Sequence, residues 1–130
     1  MNRPIIWIAA IAAAAAAASG SLPAAAQPRA ESCFRLSQLQ NTHADGDRRI
    51  YARVGTNTFY RIDLANRCSA LGFGGSHLVL TPTPGSDLIC RPIDLDLKVS
   101  EDGAAEACFI QSITRLSPDE AAAIPRRVKP

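Results

Sequence analysis

The sequence predicts a single mainly-β domain, a small antiparallel sheet of about six strands, curled or partly closed into a barrel, with one short C-terminal helix. Three observations carry that expectation. Residues 48–68 hold two arms of alternating apolar and polar side chains joined by Gly55-Thr-Asn-Thr58. Ile93 to Val99 repeat the alternation, the period of two of a strand with one wet face. Four cysteines, Cys33, Cys68, Cys90 and Cys108, follow an apolar leader, which is the pattern of a small exported domain held by disulfides.

The leader comes first. Asn2-Arg3 is a short positive start, Ile5 to Ala18 is an unbroken apolar run, and Ala24-Ala25-Ala26 offers small side chains for cleavage before Gln27. Residues 1–26 therefore read as a signal peptide, with an apolar run too short to span a bilayer comfortably. Cys33 follows Ala30-Glu31-Ser32 and no lipoprotein box, so the mature product is expected to be soluble and unanchored, periplasmic or secreted, with no membrane span. Residues 27–32 read as a flexible leader, 33–125 as the disulfide-stapled β domain and 126–130 as a basic tail. Removing 26 of the 130 residues leaves 104, enough for one core and no second. The formal charge of +2 falls to +1 with the loss of Arg3. Near-neutrality argues against a nucleic-acid binder.

Cys33 to Leu39 is expected as the first strand, with Phe34 and Leu36 inward. Asn41 to Asp47 then breaks the periodicity. Its oxygen-bearing Asn41 and Asp45 and its Gly46 look like part of a calcium loop, but His43 and Ala52 stand where oxygen ligands are needed, so an Asp-Gly turn is the better reading. In the hairpin that follows, Ile50, Ala52, Val54, Tyr60, Ile62 and Leu64 fall on one face. Tyr51, Arg53, Phe59 and Arg61 fall on the other. Ser69 to His77 reads as a glycine-rich turn with Leu71 and Phe73 tucked onto the core. His77 to Leu80 is a short strand that Pro82 and Pro84 end, and Thr81 to Asp87 is the most loop-like stretch. Leu88 to Cys90 returns to the core. Ile93 to Val99 forms a strand, Ser100 to Gly103 turns, and Ala105 to Leu116 pairs back. Ser117, Pro118 and Glu120 make a capping box for a helix running through Ile124 to Pro125, after which Arg126 to Pro130 is expected to be a solvated end.

Four cysteines allow three pairings. Cys33 with Cys108 and Cys68 with Cys90 is the expected set, because Cys33 and Cys108 open the similar segments CFRLS and CFIQS, and the inner pair would close the loop after the hairpin. No Cys-x-x-Cys or Cys-x-x-His pair exists to begin a zinc site, and no metal or cofactor site is expected. Catalytic candidates are thin. His43 and His77 lie in or beside predicted loops, and Ser76 and Ser86 lack a nucleophile-elbow pattern. Asp94 and Asp96, read as sharing a strand face, are with His77 the first residues to consider for a small hydrolase.

The expected function is a non-catalytic envelope module that binds a protein partner or a cell-envelope component. Tyr51, Arg53, Phe59 and Arg61 are its candidate binding face, since aromatic and arginine side chains favour hot spots; the competing reading is that this face packs beneath the helix. A second expectation is an inhibitor of an exported enzyme, presenting the Thr81–Asp87 loop.

Taken in order, the chain shows CFRLSQL from Cys33, then Tyr60-Arg-Ile-Asp-Leu64 followed by Cys68 and Leu71. Ile89-Cys90 then precedes an aspartate strand, and Cys108-Phe-Ile-Gln-Ser-Ile113 precedes Leu116-Ser-Pro-Asp-Glu120. On these residues, which span nearly all of the mature region, it resembles a family of small exported bacterial proteins with four cysteines, known as a domain of unknown function. That resemblance implies an exported, cysteine-bridged β domain. It implies no activity and carries over no functional residue.

Overall fold

The computed structural model of the chain describes residues 33–130, and the expected signal peptide 1–26 and leader 27–32 lie outside the described residues. Its strands are β1 (Phe34–Arg35), β2 (Leu39–Ala44), β3 (Arg49–Val54), β4 (Thr58–Leu64), β5 (His77–Pro82), β6 (Leu88–Ile89), β7 (Leu95–Glu101), β8 (Ala104–Cys108) and β9 (Ile110–Arg115), followed by a helix, α1 (Pro118–Ala122).

The 48–68 hairpin forms as its alternation requires. Ile50 sits opposite Ile62 and Ala52 opposite Tyr60 across β3 and β4, and Gly55 takes the turn at φ +60°. On one side of the hairpin β2 adds to β3, and on the other β9 adds to β4, giving the antiparallel order β2-β3-β4-β9. β5, β7 and β8 make a second sheet and β1 with β6 a third. The expected barrel is corrected on two counts. Among the described residues there are nine strands rather than about six, and no sheet is closed or curled. One of the added strands arises at Phe109. The run Ala105–Leu116, read as one strand, breaks there, so that β8 pairs with β7 and β9 pairs with β4 in the other sheet. A strand that changes sheets makes a corner, and the carbonyl of Phe109 is held at that corner by the N–H of Ala65 at 2.8 Å.

One core fills the space between the sheets. Ile50, Ala52, Tyr60 and Ile62 come from the first sheet, Leu95, Leu97 and Val99 from the second, and Phe34 and Ile89 from the third. Each aliphatic side chain fully buried there contributes about 1.5–3 kcal/mol. The expected run Ile93–Val99 is shortened, because Ile93 lies in a 3-10 turn at Pro92–Asp94 and is 76% exposed. Phe73, expected on the core, is 58% exposed while Leu71 is buried.

Both disulfides form, with other partners than expected. Cys33 is bonded to Cys90, with Cα atoms 4.2 Å apart, and Cys68 to Cys108, at 5.7 Å. Strand pairing decides this. β1 lies against β6 with Phe34 opposite Ile89, which brings Cys33 beside Cys90. Cys108 ends β8, and the 3-10 turn Ser69–Gly72 that follows Cys68 is fastened to the same strand through Glu106, whose carboxylate accepts the Ser69 hydroxyl and the Ala70 N–H, both at 3.1 Å.

Candidate functional site

The loop between β5 and β6 is exposed and held by hydrogen bonds on both flanks. Pro84 sets one corner of its tip, Gly85 takes the other at φ +98°, and the N–H of Ser86 reaches the carbonyl of Thr83 at 3.4 Å. These are the marks of a type II β-turn. Below the tip, both flanks are anchored. Thr83 donates its N–H to the carbonyl of Asp94 at 3.0 Å and its hydroxyl to the carbonyl of Ile93 at 2.8 Å. Across the loop, the Asp87 carboxylate accepts the hydroxyl of Ser37 at 2.6 Å and its N–H at 3.0 Å. The Asp87 carbonyl accepts the N–H of Leu36 at 2.9 Å. The Ser37 hydroxyl, with further help from Ser37 and Leu36 backbone groups, holds the Asp87 carboxyl below the usual range. A cavity of about 360 Å³ adjoins the turn, lined by Thr83, Pro84, Ser86, Leu88, Arg91 and Asp94 among others, and Leu88 and Ile93 stand exposed beside it.

The expected binding face is not free. Tyr51 is 8% exposed and packs with Leu116, Ala121, Ile124 and Val128, while Phe59 is half-buried against the same group. Arg53 and Arg61 are half-buried as well. Tyr51 and Phe59 thus pack under α1 and the residues after it, as the competing reading has it, while Arg53 and Arg61 stay partly exposed. The capping box expected at the start of α1 is present, with Ser117 and Glu120 bonded reciprocally. The tail 126–130, expected to be solvated, packs down instead. Val128 is buried, Arg127 pairs with Asp45 at 3.3 Å, and the Lys129 ammonium sits 5.5 Å from the centre of the Phe59 ring.

The catalytic candidates are not brought together. His77 lies opposite Ser100 and Asp96 opposite Thr81 in the β5–β7 ladder, four residues apart along the strands and so roughly 13 Å away. Asp94 leaves the strand altogether. Its carboxylate accepts the N–H groups of Cys90 and Arg91 and a guanidinium N–H of Arg91, and the Cys90 N–H first and Arg91 next hold it below the usual carboxylate range.

A polar cleft of about 520 Å³ at one end of the four-stranded sheet is lined by Asp45, Asp47, Arg48, Arg49, Asp63 and Gln111 among others. Its acids are already neutralised. Asp45 is paired with Arg127, Asp47 with Arg67 at 2.6 Å, and Asp63 with Arg49 at 3.0 Å and Arg61 at 2.8 Å. Burial pushes the Asp63 carboxyl up, but the hydrogen bonds of Arg49 and then Arg61 outweigh it and leave the group below its ordinary value. With the Ser112 hydroxyl donating to Asp63 at 3.3 Å, this network ties β3, β4 and β9 together. Cys68, Glu106 and Cys108 place a ligand-type atom each within 4.8 Å of one another, but the two sulfurs are bonded together and the carboxylate is occupied by Ser69 and Ala70.

Comparison of the chain with protein-family models, with curated proteins and with solved structures finds no match. Among the described residues no helix is long and apolar enough to cross a membrane.

Proposed function

We propose that this protein is an exported, non-catalytic binding module that presents the Thr83–Asp87 loop, which begins where β5 ends, to a protein partner, in the manner of an inhibitor seated in the cleft of an exported enzyme. The observation that carries the reading is the clamp on both flanks of the Thr83–Ser86 turn. A loop already fixed in one shape loses little conformational freedom on binding, which is how preorganisation raises affinity. Export is part of the same proposal. It rests on the character of residues 1–26 and agrees with two disulfides, which persist in oxidising compartments. The resemblance to small exported proteins of unknown function supports the compartment and says nothing of the partner.

The test replaces Thr83–Asp87, the residues between β5 and β6, by a Gly-Ser linker of equal length. Circular dichroism and thermal unfolding report whether the two sheets survive. Inhibition is measured against a panel of exported hydrolases, and partner capture from envelope extract is quantified for both proteins. Loss of inhibition or of a specific captured partner in a folded variant is the expected result. Equal capture by both proteins with no inhibition by either overturns the reading.

A further inference from the structure

Sheet edges are hazards that proteins guard with prolines, bulges, lysines or very short strands. Most edges here carry such a guard. The β2 edge has a register shift between Leu39 and Asn41; β9 has one opposite Asp63 and Leu64, where Gln111 is the extra residue; β5 ends in Pro82; and β1 and β6 have two residues each. β8 has no proline, bulge or lysine, and its one charged side chain, Glu106, is turned onto Ser69 and Ala70. Ala104-Ala-Glu-Ala-Cys108 pairs with β7 in unbroken register from Glu101–Ala104 to Leu97–Cys108, and among the described residues no strand pairs with its other side.

The hairpin fixes which groups are free. Asp102 at φ +48° and Gly103 at φ +85° make the two-residue turn of a type I′ hairpin, in which the flanking residues form a hydrogen-bonded pair. Alternation then assigns Glu106 and Cys108 to the ladder with β7 and leaves the N–H and C=O of Ala105 and Ala107 pointing away from it. The side chains of Ala104, Ala105 and Ala107 are small and exposed, so nothing obstructs an approaching backbone. Two exposed aromatics belong to segments fastened to this strand. Phe109, 65% exposed, follows it directly, and Phe73, 58% exposed, ends the turn tied to Glu106.

We infer that β8 is a docking edge for an extended segment of a partner polypeptide, which adds as a fourth strand to the β5-β7-β8 sheet. Main-chain bonds to Ala105 and Ala107 supply the pairing, and Phe109 and Phe73 supply apolar anchors. Charge selects the occupant. The strand carries Glu106, whose carboxylate accepts the neutral Ser69 and Ala70 donors and keeps its charge, and the end of β7 and the turn carry Glu101 and Asp102; for none of the three does an ion pair form among the described residues. The fitting segment has a lysine or arginine opposite Glu106 and apolar side chains at the alternate positions. A second copy of β8 fits worse. The antiparallel register that uses every free group sets Ala105 against Ala107 and therefore Glu106 against Glu106, and like charges directly opposite are destabilising.

The test follows amide exchange in the full mature protein with a blocked synthetic peptide, Val-Thr-Val-Lys-Val-Thr-Val, added to saturation. The expected result is exchange at Ala105 and Ala107 slowed about tenfold, with Glu106 unchanged because its N–H is already bonded to β7. Protection should vanish when the central Lys of the peptide is replaced by Glu and when its out-facing amides are N-methylated. Ala107→Pro, which removes an N–H that faces away from the ladder and so spares the β7 pairing, should abolish protection as well. If that variant does not fold, the methylated peptide decides alone. No protection at millimolar peptide overturns the inference. Protection that needs no peptide and grows with protein concentration overturns it too, in favour of a second copy. Replacing Thr83–Asp87 should leave the protection unaltered, which separates this surface from the loop.

Discussion

Ser37 and Asp87 lie fifty residues apart and are joined by two hydrogen bonds, one from the serine hydroxyl at 2.6 Å and one from its backbone N–H at 3.0 Å. The pair closes one side of the exposed loop as Thr83 closes the other. Because the Asp87 carboxyl is held below the usual range, the clamp is intact above the unfolded carboxylate pKa of about 3.9 and is released as pH falls through the lower folded value. The protection factor of the Ser37 amide, with the intrinsic pH dependence of exchange divided out, should therefore fall in acid, and in Asp87→Asn it should be low already at neutral pH.

Gly85 allows a sharper probe of the loop. Alanine at φ +98° is strained whatever the space around it, and nothing lies within 4 Å of the added methyl. Gly85→Ala should lower stability by roughly 1 kcal/mol and weaken partner binding at the same time. Thermal unfolding and binding titration measured side by side would check both.

Tyr51 separates a packed face from a binding face. Tyr51→Ala should lose about 3 kcal/mol in urea unfolding, since the side chain packs with Leu116, Ala121, Ile124 and Val128. Deleting residues 126–130 should cost about 2 kcal/mol through Val128. A solvated tail would give no change in the midpoint.

Asp63 should shape the acid limb of the stability profile. Its folded pKa is depressed, burial notwithstanding, by Arg49 and Arg61, so its contribution is complete above the unfolded value near 3.9 and is lost as pH falls through the folded one. In Asp63→Asn the urea midpoint should be lower at pH 7 and should fall less steeply between pH 5 and pH 2, in roughly the window that linkage sets for such a group.

Peptide mapping without reduction should recover Cys33 with Cys90 and Cys68 with Cys108. Removing the second bridge by a double Ser replacement should lower stability by about 4 kcal/mol, the chain-entropy value for a loop of this length, as read by urea unfolding.

What the sequence displayed and what it hid follow from where the stabilising contacts lie. The β3–β4 hairpin was legible because alternation and a turn glycine point the same way. Likewise the helix start was legible because Ser117, Pro118 and Glu120 act within four residues of one another. β2 was not, since Leu39-Gln-Asn-Thr-His-Ala44 has few apolar side chains and is held at the sheet edge by backbone bonds to β3. The similarity of CFRLS and CFIQS misled the cysteine pairing, because short segments of like composition need not be neighbours. Phe109 carries no breaking residue, so the change of sheet it marks has no local signal. The Ser37–Asp87 clamp and the Arg49–Asp63–Arg61 group join residues of different elements, which no window along the chain can reveal.

The two disulfides overlap rather than nest: Cys68 lies inside the span from Cys33 to Cys90, and Cys90 inside the span from Cys68 to Cys108. Every peptide bond from 68 to 90, those of the Thr81–Asp87 loop included, is thus bracketed by both. A protease that severed the chain there would release no fragment, and the new ends would stay tethered side by side in the folded sheets.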